Sequence, residues 1–136
     1  MTALSAVLDG AIAPGVHRCA IPLGEVRAEV EAAGWTCAYV DGRALAGREA
    51  VLLAMGEALG FPSYFTGRSL DALNDCLRDV SSPTVLAWDG WGVLAAADPV
   101  GLRGLLTVLA DRASAAAPAL EVLLLGDGPA DVARAL

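Results

Sequence analysis

Residues 61–80 read FPSYFTGRSLDALNDCLRDV, and this stretch carries the clearest structural pattern in the 136-residue chain. Pro62 ends any preceding helix, because proline disfavours helical backbone in the residue before it. Ser69 is a good N-cap and is followed by apolar residues at helical spacing. The spacing predicts a helix whose apolar side is formed by Leu70, Leu73, Cys76, Leu77 and Val80.

Three aspartates lie on the opposite side of this predicted helix. Asp71, Asp75 and Asp79 are spaced four residues apart, and like charges at that spacing repel by roughly 0.2–0.5 kcal/mol per pair. The helix dipole offsets part of this cost for Asp71, which lies in the first turn. An acidic outer face is usually only a solvated face. Two aromatic residues and a glycine just before the helix favour instead a surface that is presented to a partner.

The order of residues in this stretch resembles the signature of the barstar family, small intracellular inhibitors of ribonucleases. The residues that carry the resemblance are Pro62, Tyr64, Phe65, Gly67 and the run LDALNDCL at 70–77. The order of the predicted strands and helices extends a looser resemblance over the residues from Trp35 to Leu125. It implies an α/β fold with a small three-stranded parallel sheet flanked by helices. Residues 1–34 then form an N-terminal extension packed on a barstar-like domain at 35–136.

The resemblance also implies which residues contact a partner. Asp75 matches the family's central aspartate, which enters the nuclease active site, and Asp71 matches its neighbour one turn earlier. Tyr64 matches a contact tyrosine, and Asp98 aligns loosely with an acidic residue at a later helix start. The implied partner-binding residues are Tyr64, Phe65, Gly67, Asp71, Asn74, Asp75 and Asp98.

Three residues in this region depart from the family pattern. Asn74 stands where shorter inhibitors carry a tryptophan, so one aromatic contact is lost. Ser69 replaces an asparagine, and Thr66 is one extra residue in the loop. These differences bear on the identity of the target more than on the mode of binding.

Composition limits the classes of partner. The formal net charge is −7 and the isoelectric point is about 4.4. We therefore expect no nucleic-acid binding, because phosphate binding needs clustered Lys and Arg. Acidity suits a basic protein partner, such as a basic ribonuclease, as well as plain solubility. No apolar run reaches the ~18 residues of a membrane helix, so we expect no membrane association. We also expect the chain to be monomeric when free.

Cysteine and histidine usage argues against metal, cofactor and catalytic sites. Cys19, Cys37 and Cys76 are widely spaced and flanked by apolar residues, which favours free thiols in a reducing compartment. The single histidine, His17, leaves no credible catalytic triad, and Asp71 and Asp75 lack a group that would split their pKa values. We expect no cofactor, no enzymatic activity and, since no signal peptide is recognisable, a cytoplasmic location.

The remaining pattern alternates apolar strands with helices. Asp98-Pro99 is a strong helix start, because an N-cap precedes proline at the first helical position. Strands separated by helices predict right-handed crossovers and a parallel sheet. The predicted strands are Trp35–Val40, Thr84–Trp88 and Leu120–Leu125, and the other predicted helices are Leu23–Ala33 and Arg48–Leu59.

The two ends of the chain carry weaker patterns. Residues 1–15 are expected to be loosely ordered, Val16–Ile21 to add an edge strand, and 129–136 to form a short terminal helix. Gly126-Asp127-Gly128 lies after a strand, but the third glycine of a phosphate loop is absent, which favours a simple turn.

Two functions fit these observations. The leading hypothesis is a ribonuclease inhibitor, or immunity-type protein, that binds through Tyr64, Asp71 and Asp75. The alternative is a protein-interaction module of the same fold whose basic partner is not a ribonuclease. An acidic face beside two aromatic residues fits both functions, and the identity of the target decides between them.

Overall fold

A computed structural model describes residues 2–115 and 117–136, which form helices around one sheet. Within these residues, no helix is long and apolar enough to cross a membrane. The elements are α1 (Ala3–Leu8), β1 (Val16–Cys19), α2 (Leu23–Ala32), β2 (Thr36–Asp41), α3 (Arg48–Leu59), α4 (Leu70–Leu77), β3 (Thr84–Asp89), α5 (Gly92–Ala97), α6 (Pro99–Ala113), β4 (Leu120–Leu125) and β5 (Arg134–Ala135).

The sheet has five strands in the order β2-β3-β4-β1-β5, and all neighbouring pairs are parallel. The prediction of an α/β fold with a parallel sheet is confirmed, as are the three predicted strands, here β2, β3 and β4. The predicted number of three strands is wrong. The sheet gains β1 and β5 on one side, beyond β4.

The predictions for the two chain ends need correction. The strand at Val16–Cys19 does not lie at the edge, because it pairs with β4 on one side and β5 on the other. The segment predicted as a terminal helix instead supplies β5, and Leu136 N–H donates to the carbonyl of Arg18 at 2.8 Å. Nor are residues 3–8 loosely ordered. They form α1, because Leu4 and Val7 are buried.

Each face of the sheet is covered by helices. On one face α3 packs on β2, and α6 packs on β4 and β1, while α4 lies against α6. On the other face α2 packs on β2 and β3, and α1 packs on α2. The core under α1 and α2 is formed by Leu4, Cys19, Val26, Val30, Val85, Ala87, Leu123 and Leu125. Residues 2–34 therefore supply one layer of the fold.

A buried carboxyl joins the N-terminal segment to the centre of the sheet. Glu121 lies on β4, on the face covered by α1 and α2, and its side chain is fully buried. It is hydrogen-bonded to Nδ1 of His17 on β1, and it accepts the N–H of Gly15 at 3.3 Å. These contacts span 106 residues of sequence between Gly15 and Glu121.

Burial sets the protonation state of this pair. It raises the pKa of Glu121 to about 8, although the Gly15 hydrogen bond opposes the rise. The pKa of His17 is lowered, first by burial and then by the positive charge of Arg134. Both shifts favour the neutral forms of the Glu121 carboxyl and the His17 imidazole.

Glu121→Gln should make the protein more stable than the wild type at alkaline pH. The pKa of Glu121 is near 4.5 in the unfolded chain and about 8 in the folded protein. The contribution of Glu121 to stability is therefore fully present below pH 4.5 and is lost as the pH rises to about 8. Glutamine imitates the neutral carboxyl and does not titrate. From pH 5 to pH 8 the unfolding free energy of the variant should rise relative to that of the wild type by on the order of 3 kcal/mol. Urea denaturation at both pH values measures the shift, and a pH-independent difference would contradict the assigned protonation state.

Candidate protein-binding site

One side of α4 is fixed in the core, as its periodicity predicts. Leu73, Cys76 and Leu77 are buried, and Leu70 and Val80 pack partly buried against the same core. The Ser69 hydroxyl accepts the N–H groups of Asp71 at 3.1 Å and Ala72 at 3.3 Å. The predicted N-cap is thus confirmed, and it satisfies two of the donors that a helix start leaves free.

A buried arginine holds the other end of α4. Arg112, near the end of α6, donates from Nε to the carbonyl of Leu77 at 3.0 Å. Its positive charge lies at the C-terminal end of α4, where the helix dipole favours a cation. Its Nη1 atom makes no hydrogen bond to the described residues. Arg112 was not among the residues predicted from the sequence. The signal that could have revealed it is its position on the apolar side of α6, in line with Leu105 and Leu109.

The other side of α4 carries Asp71 and Asp75, and Asp79 follows in the turn just after the helix. These three residues are defined here as the acidic ridge. All three are exposed, and the side chain of Asp75 is 72% exposed. Its only ion pair among the described residues is to Arg78, whose Nη1 lies 3.6 Å from Oδ1. Exposed pairs of this kind contribute about 0–1 kcal/mol. The Asp75 carboxylate is thus held in place by its helix while remaining available to a partner.

The two aromatic residues before α4 have different environments. Tyr64 is 72% exposed. Phe65 is only 7% exposed. Its ring packs edge-on against Phe61, with centroids 5.1 Å apart. Of the two predicted aromatic contacts, the structure presents Tyr64 at the surface, whereas Phe65 anchors the loop in the core.

Gly67 has a structural requirement of its own. Its φ is +74°, and a Cβ atom there would lie 2.8 Å from the backbone oxygen of Glu49 in α3. Only glycine combines that backbone conformation with so close an approach. The close approach that Gly67 permits is therefore between the loop and α3.

Asp98 and Asn74 lie near the ridge but are less exposed than Asp75. Asp98 is partly buried and caps α6, because its Oδ1 accepts the N–H of Gly101 at 2.9 Å. Asn74 is partly buried on α4. Asp98 lines a surface depression of about 660 Å³ between the starts of α3 and α6. The remaining residues of this depression are Arg48, Glu49, Gly67, Arg68, Val100 and Gly101.

The Gly126–Gly128 turn is accounted for by packing. A Cβ at Gly128 would lie 2.3 Å from the Trp91 ring, and Trp91 donates from Nε1 to the carbonyl of Gly126 at 3.3 Å. The glycines therefore accommodate a buried tryptophan. This supports a turn rather than a phosphate loop at these positions.

Asp75→Ala and Leu77→Ala should separate the surface of α4 from its packing. Asp75→Ala should leave the melting temperature unchanged or slightly higher, because it removes an exposed charge that repels Asp71 and Asp79. Leu77→Ala should cost about 2–5 kcal/mol of unfolding free energy, because Leu77 is fully buried. Thermal melting and urea denaturation measure both. A strongly destabilised Asp75→Ala variant would show that this carboxylate supports the fold.

Comparison with known proteins bears on the family of this chain. Among curated proteins no relative matches the chain. The sequence pattern of one protein family, described as Barstar (barnase inhibitor), matches residues 35–125, a segment that begins just before β2 and ends with β4. This segment includes α4, the acidic ridge, the loop before it and the start of α6. Because the match covers well over half of the chain, the protein belongs to the barstar family.

Proposed function

We propose that this protein inhibits a ribonuclease by placing the acidic ridge in the basic active site of the enzyme. The observation that carries the proposal is the Asp75 side chain, which is exposed in the last turn of a helix whose opposite side is buried in the core. The family description, which names barnase inhibitors, supports the same activity.

The chemistry follows from the substrate that such an enzyme binds. A ribonuclease holds the RNA backbone with cationic side chains, and a row of carboxylates offers them the same kind of oxygen acceptors. Charge-assisted hydrogen bonds between Arg or Lys and a carboxylate are short and roughly twice as strong as neutral ones. Asp71 and Asp75 are about one helical turn apart, about 6 Å along the axis, and Asp79 follows just beyond the end of the helix. The ridge can therefore engage several cations at once.

Rigidity of α4 increases the benefit of these contacts. Ordering a mobile segment on binding costs free energy, and a preformed surface avoids most of that cost. Here Ser69 fixes the first turn and Arg112 fixes the last carbonyl group of the helix. Only the exposed pair between Asp75 and Arg78 must rearrange when a cation arrives, and exposed pairs open at little cost.

The alternative remains a basic partner that is not a ribonuclease. Two observations favour a target that differs from the one the resemblance implies. Phe65 is buried, and Asn74 replaces an aromatic residue. Tyr64 is therefore the one exposed aromatic side chain among the partner-binding residues that the resemblance implied. The interface thus relies more on charge. The enzymatic readout below separates the two functions, because only an inhibitor of ribonucleases suppresses RNA cleavage.

The first test is inhibition of a panel of small basic ribonucleases, starting with barnase and including those encoded by the source organism. The full chain should suppress cleavage of a fluorogenic RNA by at least one member. Asp75→Ala should then weaken binding by about 2–5 kcal/mol, because the enzyme's cation is left buried and unpaired. Glu31→Ala is the matched control, since it removes one exposed acid from α2 on the opposite side of the sheet. Equal affinities for the two variants would place the site elsewhere, and binding without inhibition would favour the alternative.

A second test uses ionic strength. If the ridge and the net charge of −7 steer association, the association rate should fall steeply between about 20 mM and 150 mM salt, while the dissociation rate changes less. Stopped-flow fluorescence with the inhibited enzyme measures both rates. An association rate that does not change with salt concentration would mean that the ridge is only a solvated face.

A further inference from the structure

Large apolar side chains at the protein surface are concentrated around the loop before α4. Among the residues that the structure describes, four such side chains are exposed: Ile12, Leu53, Tyr64 and Val100. Leu53 lies on α3, Tyr64 in the loop itself, and Val100 in the first turn of α6. Only Ile12 lies elsewhere, after α1 in the layer on the other face of the sheet. Exposed apolar side chains that gather at one place mark interaction sites more often than scattered ones do.

Leu53 and Val100 lie on either side of the start of α4. A Cβ atom at Gly67, three residues before α4, would lie 2.9 Å from Cγ of Leu53. A Cβ atom at Gly104 would lie 3.2 Å from Cδ1 of Leu70, the first residue of α4. Val100 is four residues before Gly104 and is therefore on the same side of α6. The two apolar side chains thus flank the first turn of α4.

The depression beside this turn offers a partner no net formal charge. Two arginines in its lining stand against two acids: Arg48, Arg68, Glu49 and Asp98. Glu49 and Arg68 also pair with each other, at 3.5 Å between Oε1 and Nε. Val100 lies on the rim of the depression and is 75% exposed. What this area adds to the acidic ridge is therefore apolar contact.

Apolar contacts in this position would strengthen the ion pairs of the ridge. Asp71 lies in the first turn of α4, between the two apolar side chains. An exposed ion pair contributes little, because water screens it, and excluding water lowers the local dielectric constant. A standard interface buries about 800 Å² on each protein, far more than a few carboxylates supply. A ribonuclease that binds the ridge therefore has to cover neighbouring surface, and Leu53 and Val100 adjoin it.

We propose, building on the proposed function, that the ribonuclease covers Leu53 and Val100 with apolar side chains that lie next to its basic groove. The ridge binds the cations of the groove, and the two apolar residues exclude water from the ion pair of Asp71. Neither Leu53 nor Val100 is among the partner-binding residues that the family resemblance implied. This surface therefore selects among ribonucleases whose basic grooves are alike but whose flanking residues differ.

Val100→Asp tests the proposal through the direction of its effect. Ile12→Asp is the matched control, because both substitutions replace an exposed apolar side chain and change the net charge from −7 to −8. Long-range steering is thus equal in the two variants. If apolar groups cover position 100, the new carboxylate is buried without a partner, and Val100→Asp should bind about 10-fold or more weakly than Ile12→Asp. Surface plasmon resonance with the ribonuclease that the full chain inhibits measures the ratio.

Leu53→Ala tests the second apolar residue without changing the charge. Ile12→Ala is its control, because the two side chains are equally exposed, at 40% for Leu53 and 38% for Ile12. Covering Leu53 removes its exposed apolar area from water, so Leu53→Ala should bind about 5-fold or more weakly than Ile12→Ala. The difference should appear mainly in the dissociation rate, since the charge of the chain is unchanged.

The opposite results would overturn the inference while leaving the inhibitor function intact. A partner that meets this area with cations should bind Val100→Asp as tightly as Ile12→Asp or more tightly, because a favourable charge has been added. Equal binding of Leu53→Ala and Ile12→Ala would likewise contradict contact with α3. If the unmodified chain inhibits no ribonuclease, the proposed function itself fails, and the inference fails with it.

The fold should tolerate these changes. Val100 is the second residue of α6, where the helix dipole favours a negative charge, and alanine is the best helix former for position 53. Thermal melting of the four variants checks that each is folded at the temperature of the binding assay. Weaker binding by a fully folded variant then reports on the interface.

Discussion

The packing of one side of α4 against the core is the constraint on which the surface of this protein depends. Leu73 and Leu77 have no exposed area, so the helix cannot rotate without exposing them. Because the acids lie at the same helical spacing on the opposite side, fixing the leucines fixes the direction of Asp75. The Ser69 cap and the Arg112 hydrogen bond prevent fraying at both ends. A core interaction thus determines where the Asp71 and Asp75 carboxylates are held.

The barstar family segment does not stand alone in this chain. Val85, Ala87, Leu123 and Leu125 belong to it, yet they are covered by α1 and α2, which precede it. Strand β1 adds to the same sheet beyond β4, and Glu121 ties that strand to the centre. The N-terminal segment therefore completes the second layer, while the acidic ridge lies with α4 on the opposite face of the sheet. The N-terminal helices and the acidic ridge thus lie on opposite faces of the sheet.

Local patterns predicted most of the fold, and long-range pairing accounts for what they missed. The Ser69 and Asp98-Pro99 helix starts and the apolar strand at Leu120–Leu125 depend on neighbouring residues, and all appear as expected. The interior position of β1 and the pairing of β5 depend on partners distant in sequence, which periodicity does not encode. Burial of Phe65 likewise depends on Phe61 and Gly56. The polar residue Glu121 within an apolar strand was the one visible sign of the contact with His17.

The placement of β1 between β4 and β5 has a consequence for synthesis on the ribosome. Val16–Cys19 leaves the ribosome early, but its partner Val122–Leu125 follows only about 100 residues later. At typical elongation rates of about 5–20 residues per second, that delay is roughly 5–20 s. During this time α4 also lacks α6, against which it packs. The nascent chain therefore cannot hold α4, and the carboxylates that it carries, in place until α6 has been translated.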